Sequence, residues 1–156
     1  MEQHIYMSRR LREIFLTGTW IANTNYKEQI TKTTWQEAVY KVHNLNSIAA
    51  LTFHVNYYLE GLIQVLNGGA LNISDKYSFD MPDIKNEHDW NDLVARFLKH
   101  AEQFSAQVEQ LDAPVFDHNF VMEKYGTYLR NIDGIIEHSY YHLGQITLLR
   151  KLIAAR

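Results

Sequence analysis

The chain has 156 residues, enough for one domain, expected over 1–156, with a sizeable core. Seven glycines, two prolines and no cysteine exclude a turn-rich sandwich, disulfides, thiolate catalysis, zinc fingers and iron–sulfur clusters. A net charge of −3 argues against a broad phosphate-binding surface, and no apolar run or signal pattern is present, so a cytoplasmic protein is expected, with neither nucleic acid nor membrane as partner.

Hydrophobic residues recur at helical spacing in four long stretches. The first covers 5–16, with Ile5, Leu11, Ile14 and Phe15 on one face and Gly18 as its stop. After a break at 20–23, Thr34-Trp35-Gln36-Glu37 reads as a capping box opening a short helix to about Val42. The second long helix lies between an N-cap at Ser47 and the stop Gly68-Gly69, with Ile48, Leu51, Val55, Tyr58, Leu62 and Val65 as a buried seam.

Residues 67–87 lack a helical period yet carry Leu71, Ile73, Tyr77, Phe79 and Met81. A connection of that length has a job. It can span a bundle and make the second and third helices parallel, and Tyr77 and Phe79 are candidates for the wall or lid of a pocket. The third helix is expected over 89–108, with Trp90, Leu93, Val94, Phe97, Ala101 and Phe104 inward. The fourth is expected over 127–153, with Tyr128, Ile132, Ile135, Leu143, Ile146 and Ile153 inward. The expectation is an all-α four-helix bundle with a long connection between helices 2 and 3.

Eight histidines are the unusual entry in the composition. His138 and His142 are four residues apart and so share one helical face. With Ile135 at zero on a wheel of about 100° per residue, they fall at about −60° and −20°, at and inside the apolar stripe. Two imidazoles at this pitch can hold one transition metal, but Ser139 stands where a zinc protease would carry Glu. His54 lies at about −60° from Leu51, and Ser47 and Gly61 on its flank leave room near the ring. Two helices that aim histidines at the core edge can converge on one point. The alternative is that each ring is a hydrogen-bonded core-edge histidine. His4, His43, His88, His100 and His118 read as solvated. Glu137, Asn56 and Gln145 are candidates to support the ligands, and Tyr57, Tyr58, Tyr140 and Tyr141 surround them.

His138-x-x-x-His142-Leu-Gly-Gln145-Ile, read with His54 in Leu-Thr-Phe-His-Val, resembles the DinB/YfiT-like superfamily of metalloenzymes. The resemblance covers about 8–153. Asp75-Lys76-Tyr77-Ser78-Phe79-Asp80 before Pro82 is similar to an uncharacterised bacterial subgroup. The resemblance implies a four-helix bundle with parallel second and third helices, and a metal triad of His54, His138 and His142. It implies zinc, nickel or another divalent ion as cofactor, and commonly a homodimer. Relatives include transferases and isomerases that use low-molecular-weight thiols.

Three imidazoles leave an open coordination position, the arrangement of catalytic rather than structural sites. The expected function is a divalent-metal-dependent enzyme that activates or transfers such a thiol, with a small-molecule substrate. The alternatives are a metal-dependent hydrolase, a non-catalytic metal-binding protein, and a structural bundle. A dimer contact could use Trp20, Trp35 and Trp90, with core packing as the other reading.

Overall fold

A computed structural model describes residues 2–156. It is all-helical. Among the described residues the one extended pairing is an isolated antiparallel bridge between Asn119 and Thr127. Among the described residues six α-helices occur in chain order: α1 Gln3–Arg12, α2 Tyr26–Thr31, α3 Trp35–Val39, α4 Ile48–Leu66, α5 Glu87–Glu109 and α6 Tyr128–Ala154. The chain continues from α1 through one wide π turn, Glu13–Thr17, which closes with Gly18 N–H donating to the Glu13 carbonyl at 3.2 Å.

The helix starts follow local chemistry. Thr34 and Glu37 form a full capping box at α3. Ser47, Asn86 and Thr127 accept backbone N–H groups at the starts of α4, α5 and α6. Helix α2 was not among the expected elements. Asn25 caps it by accepting the Glu28 N–H at 2.9 Å, and Tyr26 anchors it with a fully buried ring.

The inward faces match the periodicity except at Ile5, Tyr58 and Tyr128, which are half-buried. Ile48, Leu51, Val55, Leu62 and Val65 of α4 are buried, as are Trp90, Leu93, Val94, Phe97, Ala101 and Phe104 of α5. The rings of Phe15, Tyr26 and Phe97 meet at the centre, with centroids 5.0–5.7 Å apart. Trp90 is core rather than interface, and its Nε1–H donates to the Thr33 carbonyl at 2.9 Å. Trp35 is half-buried, while Trp20 is 87 % exposed.

Cross-helix bonds give the directions. Helices α4 and α5 run the same way: Asn56 meets His100 near their middles, and Gln107 donates to Asn67 at their C-terminal ends. The connection 67–86 makes this possible, as expected from its length. Helix α1 runs against α5, with Ser8 donating to Glu109 and Arg12 paired to Glu102. Arg10 pairs with Asp133 at 2.6 Å between α1 and α6. No described helix is long and apolar enough to cross a membrane.

Candidate metal centre

His54 rides on α4, and His138 and His142 ride on α6. The two helices are antiparallel where they meet, so Tyr58, one turn beyond His54, faces His138 while His54 sits between His138 and His142. The Nε2 atom of His54 lies 3.1 Å from that of His138, which lies 3.0 Å from that of His142. One ligand atom from each ring falls within 4.8 Å of the others. His54 and His142 are 6 % and 7 % exposed, and His138 is half-buried.

Proton accounting shows what this cluster suits. The Oε1 of Gln145, an acceptor, lies 2.6 Å from Nδ1 of His142. The His142 proton therefore sits on Nδ1, and its Nε2 turns a lone pair inward. The Nε2 of His138 has one in-plane position, either a proton or a lone pair, yet faces two other Nε2 atoms. A proton can serve only part of such a triangle, whereas a cation serves all three nitrogens. Metal–nitrogen bonds of about 2.0–2.1 Å place neighbouring ligand nitrogens about 2.9 Å apart at right angles and about 3.3 Å apart at tetrahedral angles, and the two short separations, 3.1 and 3.0 Å, lie between these. The donor set fits a divalent transition ion, and availability as much as ligand chemistry selects among zinc, nickel and their neighbours at an all-imidazole site.

Electrostatics favour the ligand form. Burial, helped by nearby His142, lowers the pKa of His54 to about 4. Burial, then His142 and His54, lowers that of His138 to about 4. The pKa of His142 is also lowered by burial, against the opposing bond to Gln145. All three rings are thus neutral at pH 7. The Ser78 main chain lies close enough to His54 to raise its pKa slightly, but buried Nδ1 of that ring makes no hydrogen bond of good geometry.

The connection 67–86 closes over the centre. Phe79 stacks on His54, with centroids 4.1 Å apart and planes 11° from parallel. Tyr58 sets its ring edge-on to both His54 and His138, and its hydroxyl donates to Asp75 Oδ1 at 2.7 Å. Burial and Asp75 raise the Tyr58 pKa to about 12, which keeps the phenol protonated. Tyr57 pins the same segment, donating to the Ser74 carbonyl and accepting the Ser74 N–H. Beside His138 a cavity of about 600 Å³ opens between α4, α6 and this segment.

Several expectations are corrected here. Gly61 makes room for Ile73 rather than for the His54 ring: a Cβ there would lie 2.5 Å from Ile73 Cγ2. Tyr77 faces outward under Lys76 and is no wall of the site. Of the three proposed supporting residues, only Gln145 touches a ligand. Glu137 pairs with Arg130 at the surface, and Asn56 accepts from His100. His100 is accordingly half-buried with a lowered pKa, not solvated. His4 sits half-buried in α1 beside Glu2 rather than at a frayed end.

Two contributors lie outside the residues that the sequence pattern singles out. Asp75 enters the pattern only within the 75–80 motif. The hydroxyl of Tyr26 donates to the Ser139 carbonyl at 2.8 Å, pinning α6 between its two histidines. Its helix was signalled by Asn25 followed by Glu28 three residues later. No family model, curated protein or solved structure matches this chain.

Proposed function

We propose that the protein is a divalent-metal-dependent enzyme of the DinB/YfiT-like kind, built as a four-helix bundle, that binds and activates a low-molecular-weight thiol for transfer. The observation that carries this reading is the convergence of three neutral imidazole Nε2 atoms beside an open cavity. A divalent ion held by His54, His138 and His142 supplies Lewis-acid chemistry, lowering the pKa of a thiol or water brought to its open position.

The chain's own residues supply the rest. Gln145 fixes the tautomer and aim of His142. The low pKa values of His54 and His138 mean that ligation at neutral pH displaces no proton from either ring. Phe79 and Tyr58 cover the rings and limit water. Asp75 takes the Tyr58 proton donor away from the histidines, so the phenol does not compete for an Nε2 lone pair. The same-direction packing of α4 and α5 across a long connection agrees with the topology that the resemblance implies.

The test is metal content by mass spectrometry on untagged protein, beside His54→Ala, His138→Ala and His142→Ala. About one equivalent in the wild type, lost in each variant, supports the reading. Zinc- or nickel-reconstituted protein that holds no metal refutes it. Thiol activation is then checked by the rate of S-alkylation of a small thiol with the loaded protein, and light scattering checks the homodimer.

A further inference from the structure

We propose that the cavity beside His138 binds an elongated, largely apolar small molecule that carries a carboxylate, and that Arg130 selects the carboxylate. That the opposite end of the molecule reacts at the histidines rests on the metal reading above; the cavity and its polarity do not.

The cavity is about 600 Å³, within the usual range for small-molecule sites. Arg130 and His138 both line it. They lie on one helix, eight residues apart, so the site extends about 12 Å along the α6 axis. Its lining also carries Leu62, Leu71, Phe120 and Ile135, which suit an apolar body, beside the polar Ser74 and Asn131.

The charges sit apart. Asp75 is bonded to Tyr58, whose ring lies against His54 and His138, so in the metal-free protein that end of the cavity repels an anion. Arg130 is the single lysine or arginine lining the cavity among the described residues. One of its guanidinium nitrogens pairs with Glu137 at 3.1 Å, which leaves most of the five-donor fork for a bidentate carboxylate.

Gly134 adds an independent observation. It stands inside α6 between Arg130 and His138, where glycine is among the poorest residues for a helix. It lines the cavity, and a Cβ placed on it would meet nothing within 4 Å. No packing neighbour excludes a side chain there. Its absence keeps the cavity floor open.

The experiment measures binding of octanoate and of octan-1-ol by calorimetry, on metal-free and zinc-loaded protein, for wild type, Arg130→Gln and Gly134→Leu. Octanoate is expected to bind more tightly than octan-1-ol. Arg130→Gln should weaken octanoate by about 2–5-fold, the range for a solvent-exposed charge pair, and leave octan-1-ol unchanged. Glu137→Gln, which removes the competing carboxylate, should tighten octanoate. Gly134→Leu should lose both ligands while zinc stoichiometry stays the same. Octanoate binding no tighter than octan-1-ol, equal loss of both in Arg130→Gln, or no binding of either overturns the proposal. Arg130 is a surface residue, so that arm stands even where Gly134→Leu does not fold. A final arm separates the two readings with 8-mercaptooctanoate. Binding that depends on Arg130 but gains nothing from zinc sustains the cavity proposal and refutes thiol activation. A zinc-dependent gain indifferent to Arg130 does the reverse.

Discussion

Gln145→Leu removes the side-chain acceptor bonded to His142 while keeping the side chain's size. In the wild type its Oε1 lies 2.6 Å from Nδ1 of His142, one turn back along α6. Without it, the proton on Nδ1 is left in a ring only 7 % exposed. An unsatisfied buried donor costs about 1–3 kcal/mol. The ring can escape that cost by moving its proton to Nε2, but it then loses the lone pair that faces His138. Either way ligation weakens. Partners of this kind change metal affinity by about 10–100-fold, which is about 1.4–2.7 kcal/mol. Zinc stabilises the native state by mass action, so at fixed excess zinc the variant's gain on loading is smaller by that amount. For a chain of this size the difference is about 3–11 °C in Tm. The assay is competition against a chromophoric chelator, with melting curves of metal-free and loaded protein. Gln145→Glu, which restores the acceptor, should recover affinity. Unchanged zinc affinity in Gln145→Leu, or failure of Gln145→Glu to rescue a loss, would refute the tautomer argument.

Two other outcomes are expected. The metal-free protein should lose stability in mild acid: His54 and His138 titrate near 4 when folded and near the ordinary 6.5 when unfolded, so the unfolded chain binds more protons between those values. Stability is therefore full above about pH 6.5 and falls towards pH 4, on the order of 1–2 kcal/mol per ring after allowance for partial exposure. Urea titrations of wild type and His138→Ala across that window check it, and parallel pH curves would count against it. Gly61→Val should push on Ile73, whose atoms already come within 2.5–2.8 Å of a Cβ at position 61, and loosen the segment 67–86. Faster proteolytic cleavage within 67–86 is the expected readout, and an unchanged cleavage rate would show that the segment is held elsewhere.

The long helices were legible because their signals are local. The caps at Thr34 and Ser47 and the three-and-four spacing of apolar residues are properties of short windows, and the structure keeps them. The His138/His142 pair was legible for the same reason. The meeting with His54 was not fixed by periodicity, which gives the angle of a ring about its own helix but neither the height nor the direction of the partner helix. That height depends on tertiary contacts such as Tyr26 on Ser139 and Arg10 on Asp133. Helix α2 escaped because its six residues offer too little period, although Asn25 and Glu28 marked its start.

The connection 67–86 was legible as important but not in its parts, and the reason is physical. An irregular segment has no repeating geometry, so neighbours in sequence point in unrelated directions. Tyr77 and Phe79 looked equivalent, yet a 3₁₀ turn at Asp75–Tyr77 sends Tyr77 outward and leaves Phe79 on His54. What decides between them lies on α4. Tyr57, Tyr58 and Gly61 grip Ser74, Asp75 and Ile73, and this fixes where the segment turns. The helix that carries one ligand thereby also sets the wall above it. Damage to that grip should therefore alter ligand access before it alters the fold, because the buried seams of α4 and α6 do not depend on it.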